Sequence, residues 1–204
     1  MAPLRPSRDA RQAGLTRAIY LARHGETEWS LNGRHTGQTD LPLTTRGEER
    51  AATLRGRLAG LLFAAVFSSP MQRARRTAEL AGFPDPQVTD LLREFNYGEY
   101  EGLTSAEIRA SRPGWEIYHD GCPGGESPAQ VYARAQQFID LANSGAAGGG
   151  DVLVFAHGHI LRAVGVAWLA LDITAASEFR LDVATLSQLA ATDRGRELAL
   201  WNSP

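Results

Sequence analysis

The stretch YLARHGETEW, residues 20–29, runs apolar as far as Ala22 and then sets an arginine, a histidine and a glycine side by side. Read outward, it closes a short, nearly continuous apolar run, RAIYLAR (17–23), and two more such runs follow at AAVFSS (64–69) and DVLVFAH (151–157). Runs of this kind, without polar alternation, are the pattern of strands covered on both faces in a parallel sheet. Helical stretches separate them. Thr44 or Thr45 caps a helix through about Leu62, with Ala51, Leu54, Leu58 and Leu61 spaced for one face. Pro70 opens a second helix that Gly82 ends, a third spans Ser127 to Ala142, and a fourth, apolar apart from Arg162, follows Gly158. Strands alternating with helices predict an α/β three-layer sandwich: a mostly parallel central sheet with helices on both faces. TLSQLAA (185–191) and ELALWN (197–202) are expected to pair as a hairpin around TDRG at one edge, which either joins a second copy in a homodimer or stays exposed.

With 204 residues the chain can bury a substantial core, and one domain is expected over 17–204, behind a flexible tail over 1–16. The tail lacks the apolar centre of a secretory signal. The longest apolar segment, 160–173, is interrupted by Arg162 and falls short of the roughly 20 residues that a membrane span takes. A net charge of −2 offers no basic field for nucleic acid. Neither nucleic acid nor membrane is therefore expected as a partner. The single cysteine, Cys122, excludes an intrachain disulfide and any multi-cysteine zinc site, and a reducing cytoplasm is the expected location. All 21 basic residues are arginine, so mechanisms built on a Schiff-base or P-loop lysine are excluded. Segment 91–126, rich in glycine and aromatic residues, reads as an excursion over the sheet with one short helix after Thr104, and SGAAGGGD (144–151) as a connector.

Ligands of open α/β sheets sit outside the carboxyl ends of the strands. The first run ends in Arg23-His24-Gly25, the second in SSPMQR with Arg73 one turn into the next helix, and the third in His157-Gly158-His159. If these strands are neighbours, two imidazoles and two guanidiniums meet beside helix amino termini, a setting suited to phosphate. Gly25 and Gly158 read as letting the backbone turn sharply and approach that ligand. Each piece alone has a plainer reading: a lone histidine at a strand end is commonly structural, and QRARR is a solvated helix face. A zinc site of His24, His157 and His159 is the metal alternative, but Arg23 and Arg73 would repel the cation and no HExxH or paired-cysteine spacing accompanies them. No metal and no cofactor is expected.

RHGETEWS, HTGQTDLPLT, SSPMQRARRTA, REFNYGEYEG, DGCPGGES and FAHGH, in this order, resemble branch 1 of the histidine phosphatase superfamily, the phosphoglycerate mutase-like fold, over nearly all of the chain beyond residue 16. From EFNYGEYEG through DGCPGGES the chain is most similar to bacterial acid phosphatases of broad specificity and to the sedoheptulose-1,7-bisphosphatase group. The resemblance implies a metal-independent phosphomonoester hydrolase, acting through phosphohistidine on a small phosphorylated metabolite or sugar phosphate. It makes His24 the nucleophile and Arg23, Arg73 and His157 the phosphate pocket. A neutral imidazole attacks phosphorus in line while fixed cations stabilise the equatorial oxygens, and the planar fork of arginine holds two oxygens at once. Thr36, Gly37, Tyr97, Gly158, Ser30 and His159 are its implied substrate contacts. Ser30 stands where the family often has asparagine, so a phosphate contact there is expected to weaken or to come from Asn32. His159 is not a core position of the family and either meets substrate or serves the helix start.

A phosphatase also needs a carboxyl group to protonate the departing alcohol and then to activate water. Glu26, Glu94, Glu99 and Glu101 compete for that role. The match of EFNYG to the family's acidic motif selects Glu94, leaving Glu99 and Glu101 to hold the loop and Glu26 to orient groups behind the nucleophile. Phe95, Tyr97, Tyr100, Trp115, Tyr118 and His119 are expected in a specificity wall. Three other readings compete. A phosphoglycerate mutase would need more basic residues after the acidic motif than Arg109 and Arg112. A catalytically weak regulatory member is at odds with the presence of Arg23, His24, Arg73, Glu94 and His157 together. A cysteine phosphatase fails because position 128, where a C-x5-R loop needs arginine, is proline.

Overall fold

In the computed structural model, which describes residues 18–144 and 149–204, side-chain alternation along the strands decides the architecture. The strands are β1 (Ala18–Arg23), β2 (Ala65–Ser68), β3 (Gln87–Val88), β4 (Val152–Ala156), β5 (Leu186–Thr192) and β6 (Gly195–Ser203). They form one sheet in the order β3-β2-β4-β1-β5-β6. β4 runs parallel to both its neighbours, β1 and β2, so the three predicted strands lie side by side with their carboxyl ends together. β5 and β6 form the expected antiparallel hairpin, and β6 is one outer edge.

The helices are α1 (Glu28–Leu31), α2 (Thr45–Leu58), α3 (Gln72–Leu80), α4 (Ser105–Ser111), α5 (Ile117–Asp120), α6 (Pro128–Asn143) and α7 (Gly158–Trp168). On one face of the sheet, Ile19, Leu21, Phe67, Val152 and Val154 pack with Val131, Phe138 and Ile139 of α6 and Ile160 and Val164 of α7. On the other, Tyr20, Ala22, Leu153 and Phe155 meet Leu54 and Leu58 of α2 and Ala78 of α3. This is the predicted three-layer sandwich. Each fully buried leucine, isoleucine or phenylalanine contributes about 1.5–3 kcal/mol relative to exposure.

Local signals place the helix starts. Thr44 accepts the Gly47 N–H at 2.9 Å, and Ser127 and Gln130 cap each other's backbone at the start of α6. Two boundaries differ from the sequence reading. Helix α2 stops at Leu58 rather than Leu62, because the chain takes a left-handed turn at Gly60 (φ +79°). Helix α3 starts at Gln72, not Pro70, because the Ser69 N–H still bonds the Phe155 carbonyl at 3.0 Å and Met71 stays extended. The segment 91–126 holds α5 as well as the short helix expected after Thr104. The predicted tail over 1–16, Arg17 and the centre of the 144–151 connector lie outside the described residues. No helix among the described residues is long and apolar enough to cross a membrane.

The loop after β1 crosses the start of α2 with no room for side chains. A Cβ at Gly25 would lie 2.5 Å from the Gly47 carbonyl oxygen, and one at Gly47 would lie 2.2 Å from the Glu26 carbonyl oxygen. The two glycines are therefore required by backbone packing, which corrects the reading of Gly25 as a residue cleared for a ligand. Gly47→Ala is expected to cost about 1–3 kcal/mol by forcing these segments apart. Gly56→Ala, whose Cβ would meet nothing within 4 Å, is expected to add about 0.4–1 kcal/mol. Thermal unfolding of the two variants checks this, and shifts of the same sign would contradict it.

Candidate active site

The sheet sets both central imidazoles. The His24 N–H bonds the Ala156 carbonyl at 2.9 Å, continuing the β1–β4 ladder one step past β1. Its ring Nδ1 lies 2.7 Å from the Gly25 carbonyl oxygen. A carbonyl only accepts, so the proton resides on Nδ1 and the Nε2 lone pair is left bare. His157, at the end of β4, has the opposite tautomer. Arg73 Nε–H donates to its Nδ1 at 3.1 Å, so the ring proton is on Nε2 and is given to Ser69 Oγ at 2.7 Å. The two rings meet edge to face with centroids 5.1 Å apart. Burial, and then the charges of Arg73 and Arg23, hold His24 well below the ordinary histidine value. Burial and Arg73 do the same to His157. Both rings are neutral at pH 7.

Arg73 is fully buried. Its Nη1 donates to the Thr39 carbonyl at 2.9 Å, and its Nη2 to the carbonyls of Thr36 and Gly37 at 3.0 and 3.2 Å. The same turn is held from its amide side by Glu101, which accepts the N–H groups of Gly37 and Thr39. Glu101 thus holds a loop, as the sequence suggested. Glu26 bonds the Thr44 hydroxyl at 2.9 Å, supporting the start of α2. Glu94 is different: its carboxylate accepts the N–H groups of Phe95, His159 and Ile160 at 3.0, 3.0 and 2.9 Å, the last two from the first turn of α7. Burial opposes its ionisation, yet these bonds and the adjacent His159 bring it well below the usual carboxylate range. His159 itself is pushed down to about 4, chiefly by burial and Arg162, so at neutral pH the amides and the helix terminus carry that stabilisation. Glu94 is therefore a carboxylate at neutral pH.

These groups open onto a polar cleft of about 190 Å³. Of the residues singled out in the sequence, Arg23, His24, Ser30, Thr36, Glu94, Tyr97, Gly158 and His159 line it. Arg73, His157 and Gly37 do not; they stand behind the wall. Arg23 Nη1 bonds the Leu181 carbonyl at 2.5 Å, while its buried Nε has no hydrogen-bond partner. A Cβ at Gly158 would lie 3.2 Å from the Arg23 Cζ, so this glycine makes room for a guanidinium. Ser30 gives its hydroxyl proton to the Thr27 carbonyl within the capping box of α1, which leaves it no donor for an anion. The aromatic wall reduces to Tyr97, whose hydroxyl lies 2.6 Å from His159 Nδ1. Phe95, Trp115 and Tyr118 belong to the core. Arg34, His35 and Arg162 also line the cleft. Arg34 and His35 adjoin Thr36 in sequence, a signal open to use, whereas Arg162 read only as an interruption of an apolar helix.

The set His24, His157 and His159 is not arranged to ligate zinc. Both nitrogens of His157 are committed, and among the described residues no group of three His, Cys, Asp or Glu side chains stands together as metal ligands would. Cys122 is buried, and its thiol is pushed up to about 12, first by burial and then by Glu126, which leaves it unreactive.

The family model of the histidine phosphatase superfamily, branch 1, matches residues 19–204. An acid phosphatase of Mycobacterium tuberculosis is 43% identical over 185 residues, covering 89% of this chain and 90% of the relative. Sedoheptulose 1,7-bisphosphatase of Saccharomyces cerevisiae is 35% identical over 189 residues, covering 78% of this chain and 70% of the relative. Relatives named as 2,3-bisphosphoglycerate-dependent phosphoglycerate mutases match over shorter stretches. A solved structure of an open reading frame product of Mycobacterium tuberculosis superposes with a TM-score of 0.86 at 42% identity, covering 92% of this chain and 97% of that one.

The neutral rings have a price in acid. An unfolded histidine takes up a proton near pH 6.5, whereas His24 and His157 do so only well below it. Below pH 6.5 the unfolded state therefore binds more protons, and stability falls with pH. The expected loss is up to about 1.4 kcal/mol per pH unit for each ring, read from denaturant midpoints at pH 7, 6 and 5. A midpoint that holds steady would contradict the buried, neutral pair.

Proposed function

The chain belongs to the histidine phosphatase superfamily, branch 1, and from that premise we propose that it hydrolyses small phosphomonoesters through a phosphohistidine at His24. The observation that carries the proposal is the bare Nε2 of a neutral His24 at the wall of a cleft rich in arginine. In the first step Nε2 bonds to phosphorus, the bond to the leaving oxygen breaks, and Glu94 supplies the proton that oxygen needs. The Gly25 carbonyl then accepts a stronger bond from Nδ1–H, steadying the positive charge that the ring acquires. In the second step water attacks phosphorus, its proton passes to the Glu94 carboxylate, and the N–P bond breaks to return neutral His24. The Nε–H of Arg23 and the charges of Arg23 and Arg73 favour the transition-state oxygens over the ground state, while His157, its Nε2–H held by Ser69 Oγ, stands behind them.

Glu94 starts as a carboxylate, so its proton must arrive with the substrate. A phosphomonoester monoanion carries one below a second pKa of about 6, which makes mildly acidic conditions favourable. The neutrality of His24 well below pH 6.5 keeps the nucleophile available there.

Size and charge support a small, polar substrate such as a sugar phosphate. The cleft of about 190 Å³ lies below the roughly 300–1,000 Å³ of sites for drug-sized ligands. Hydrolysis is favoured over mutase chemistry because the two arginines between Glu99 and Gly124 that could retain a bisphosphate face acidic partners instead. Arg109 pairs with Glu116, and Arg112 lies 3.1 Å from Asp120. Released phosphate from a panel of sugar phosphates, bisphosphates, 3-phosphoglycerate and phosphoserine tests the proposal, with activity expected to survive exhaustive chelation. Glu94→Gln is expected to slow alkyl esters by about 10² to 10⁴ and p-nitrophenyl phosphate much less, since nitrophenolate leaves without a proton. Equal losses on both would assign Glu94 another role.

A further inference from the structure

Thr77 lies one turn beyond Arg73 on α3, fully buried, and both ends of its hydroxyl are engaged. The O–H donates to the Arg73 carbonyl at 2.7 Å, the back-bond common for threonine in a helix, and Oγ1 accepts the Gly25 N–H at 3.0 Å. Gly25 is also the residue whose carbonyl takes the Nδ1 proton of His24. Its position is thus fixed from two directions, by Thr77 at its amide and by the Gly47 carbonyl, 2.5 Å from where a Cβ would stand.

We propose that Thr77 is a positioning residue for the nucleophile: by holding the Gly25 backbone it keeps the accepting carbonyl under His24 Nδ1, so that the ring proton stays there and Nε2 stays bare. The inference rests on the reading of His24 as the nucleophile. It gives one turn of α3 command of both imidazoles. Arg73 reaches forward to fix the proton of His157 on Nε2, and Thr77, four residues on, fixes that of His24 on Nδ1 through Gly25. The two rings touch, and their tautomers are opposite because two different groups on the same helix face set them.

The hydroxyl, not the bulk of the side chain, carries this role, so the isosteric Thr77→Val and the hydroxyl-bearing Thr77→Ser separate it from packing. Nitrogen NMR of histidine-labelled protein at pH 7 is expected to show His24 as a single Nδ1-protonated tautomer in the wild type and in Thr77→Ser, and as a mixture in Thr77→Val. The kcat of Thr77→Val on a small phosphomonoester is expected to fall about 10- to 100-fold with KM changed by less than about twofold, and Thr77→Ser to stay within about threefold of wild type. Thr77→Ala replaces the valine variant if that chain does not fold. A single Nδ1-protonated tautomer with full turnover in Thr77→Val would overturn the proposal, as would equal losses in the valine and serine variants. The spectra are read without turnover. A mixed tautomer in Thr77→Val therefore supports the hold on the ring even if no phosphohistidine forms in the wild type, a result that would sink the nucleophile reading alone.

Discussion

The site depends on a buried guanidinium that has no carboxylate among its hydrogen-bond partners in the described residues. Arg73 is fully buried and its nearest acid, Asp40, is 3.9 Å away, so carbonyl oxygens of the 36–39 turn and one imidazole nitrogen must satisfy it. Burying a charge whose hydrogen bonds all go to neutral groups is costly, and a chain that removed Arg73 would leave those carbonyls and His157 Nδ1 without their donor. In return its positive charge lies beside both His24 and His157. Burial and then this charge keep the two neighbouring rings neutral, and the same charge lies behind the wall of the cleft.

Two histidines in contact would ordinarily be interchangeable as bases. Here they are distinguished by which nitrogen is occupied. His157 has its lone pair capped by Arg73 and can only donate; His24 gives its proton to Gly25 and keeps a bare lone pair. Glu94 differs again, because the first turn of α7 holds it as a carboxylate. The two histidines follow β1 and β4, which the sheet places side by side, and Glu94 is held beside them by the N–H groups at the start of α7.

Much of this was legible in the sequence. Three unbroken apolar runs ending in Arg-His-Gly, Ser-Ser-Pro and His-Gly-His specify parallel neighbours and a common end, and the order of motifs names the family before any coordinate is known. What was not legible depends on contacts across the chain. Gly25 and Gly158 resemble ligand-clearing glycines until Gly47 and Arg23 are seen against them. Glu94 is an acid by motif, but its ionised state follows from a helix terminus 65 residues later in the chain. Ser30 loses its donor to a local capping box, and Phe95, Trp115 and Tyr118 to the core, since an aromatic residue in a glycine-rich segment gives no sign of which side it faces. β3, two exposed residues long, has no pattern to read.

The central claim is that the bare Nε2 of His24 is the imidazole nitrogen that takes up phosphorus. The most direct measurement is brief exposure to a labelled phosphomonoester, quenching in alkali and mapping of the modified peptide by mass spectrometry. A phosphoryl group on His24, stable in alkali, lost in acid and absent from His24→Ala, is the predicted result. A label carried by His157, or one that persists in His24→Ala, would contradict the account.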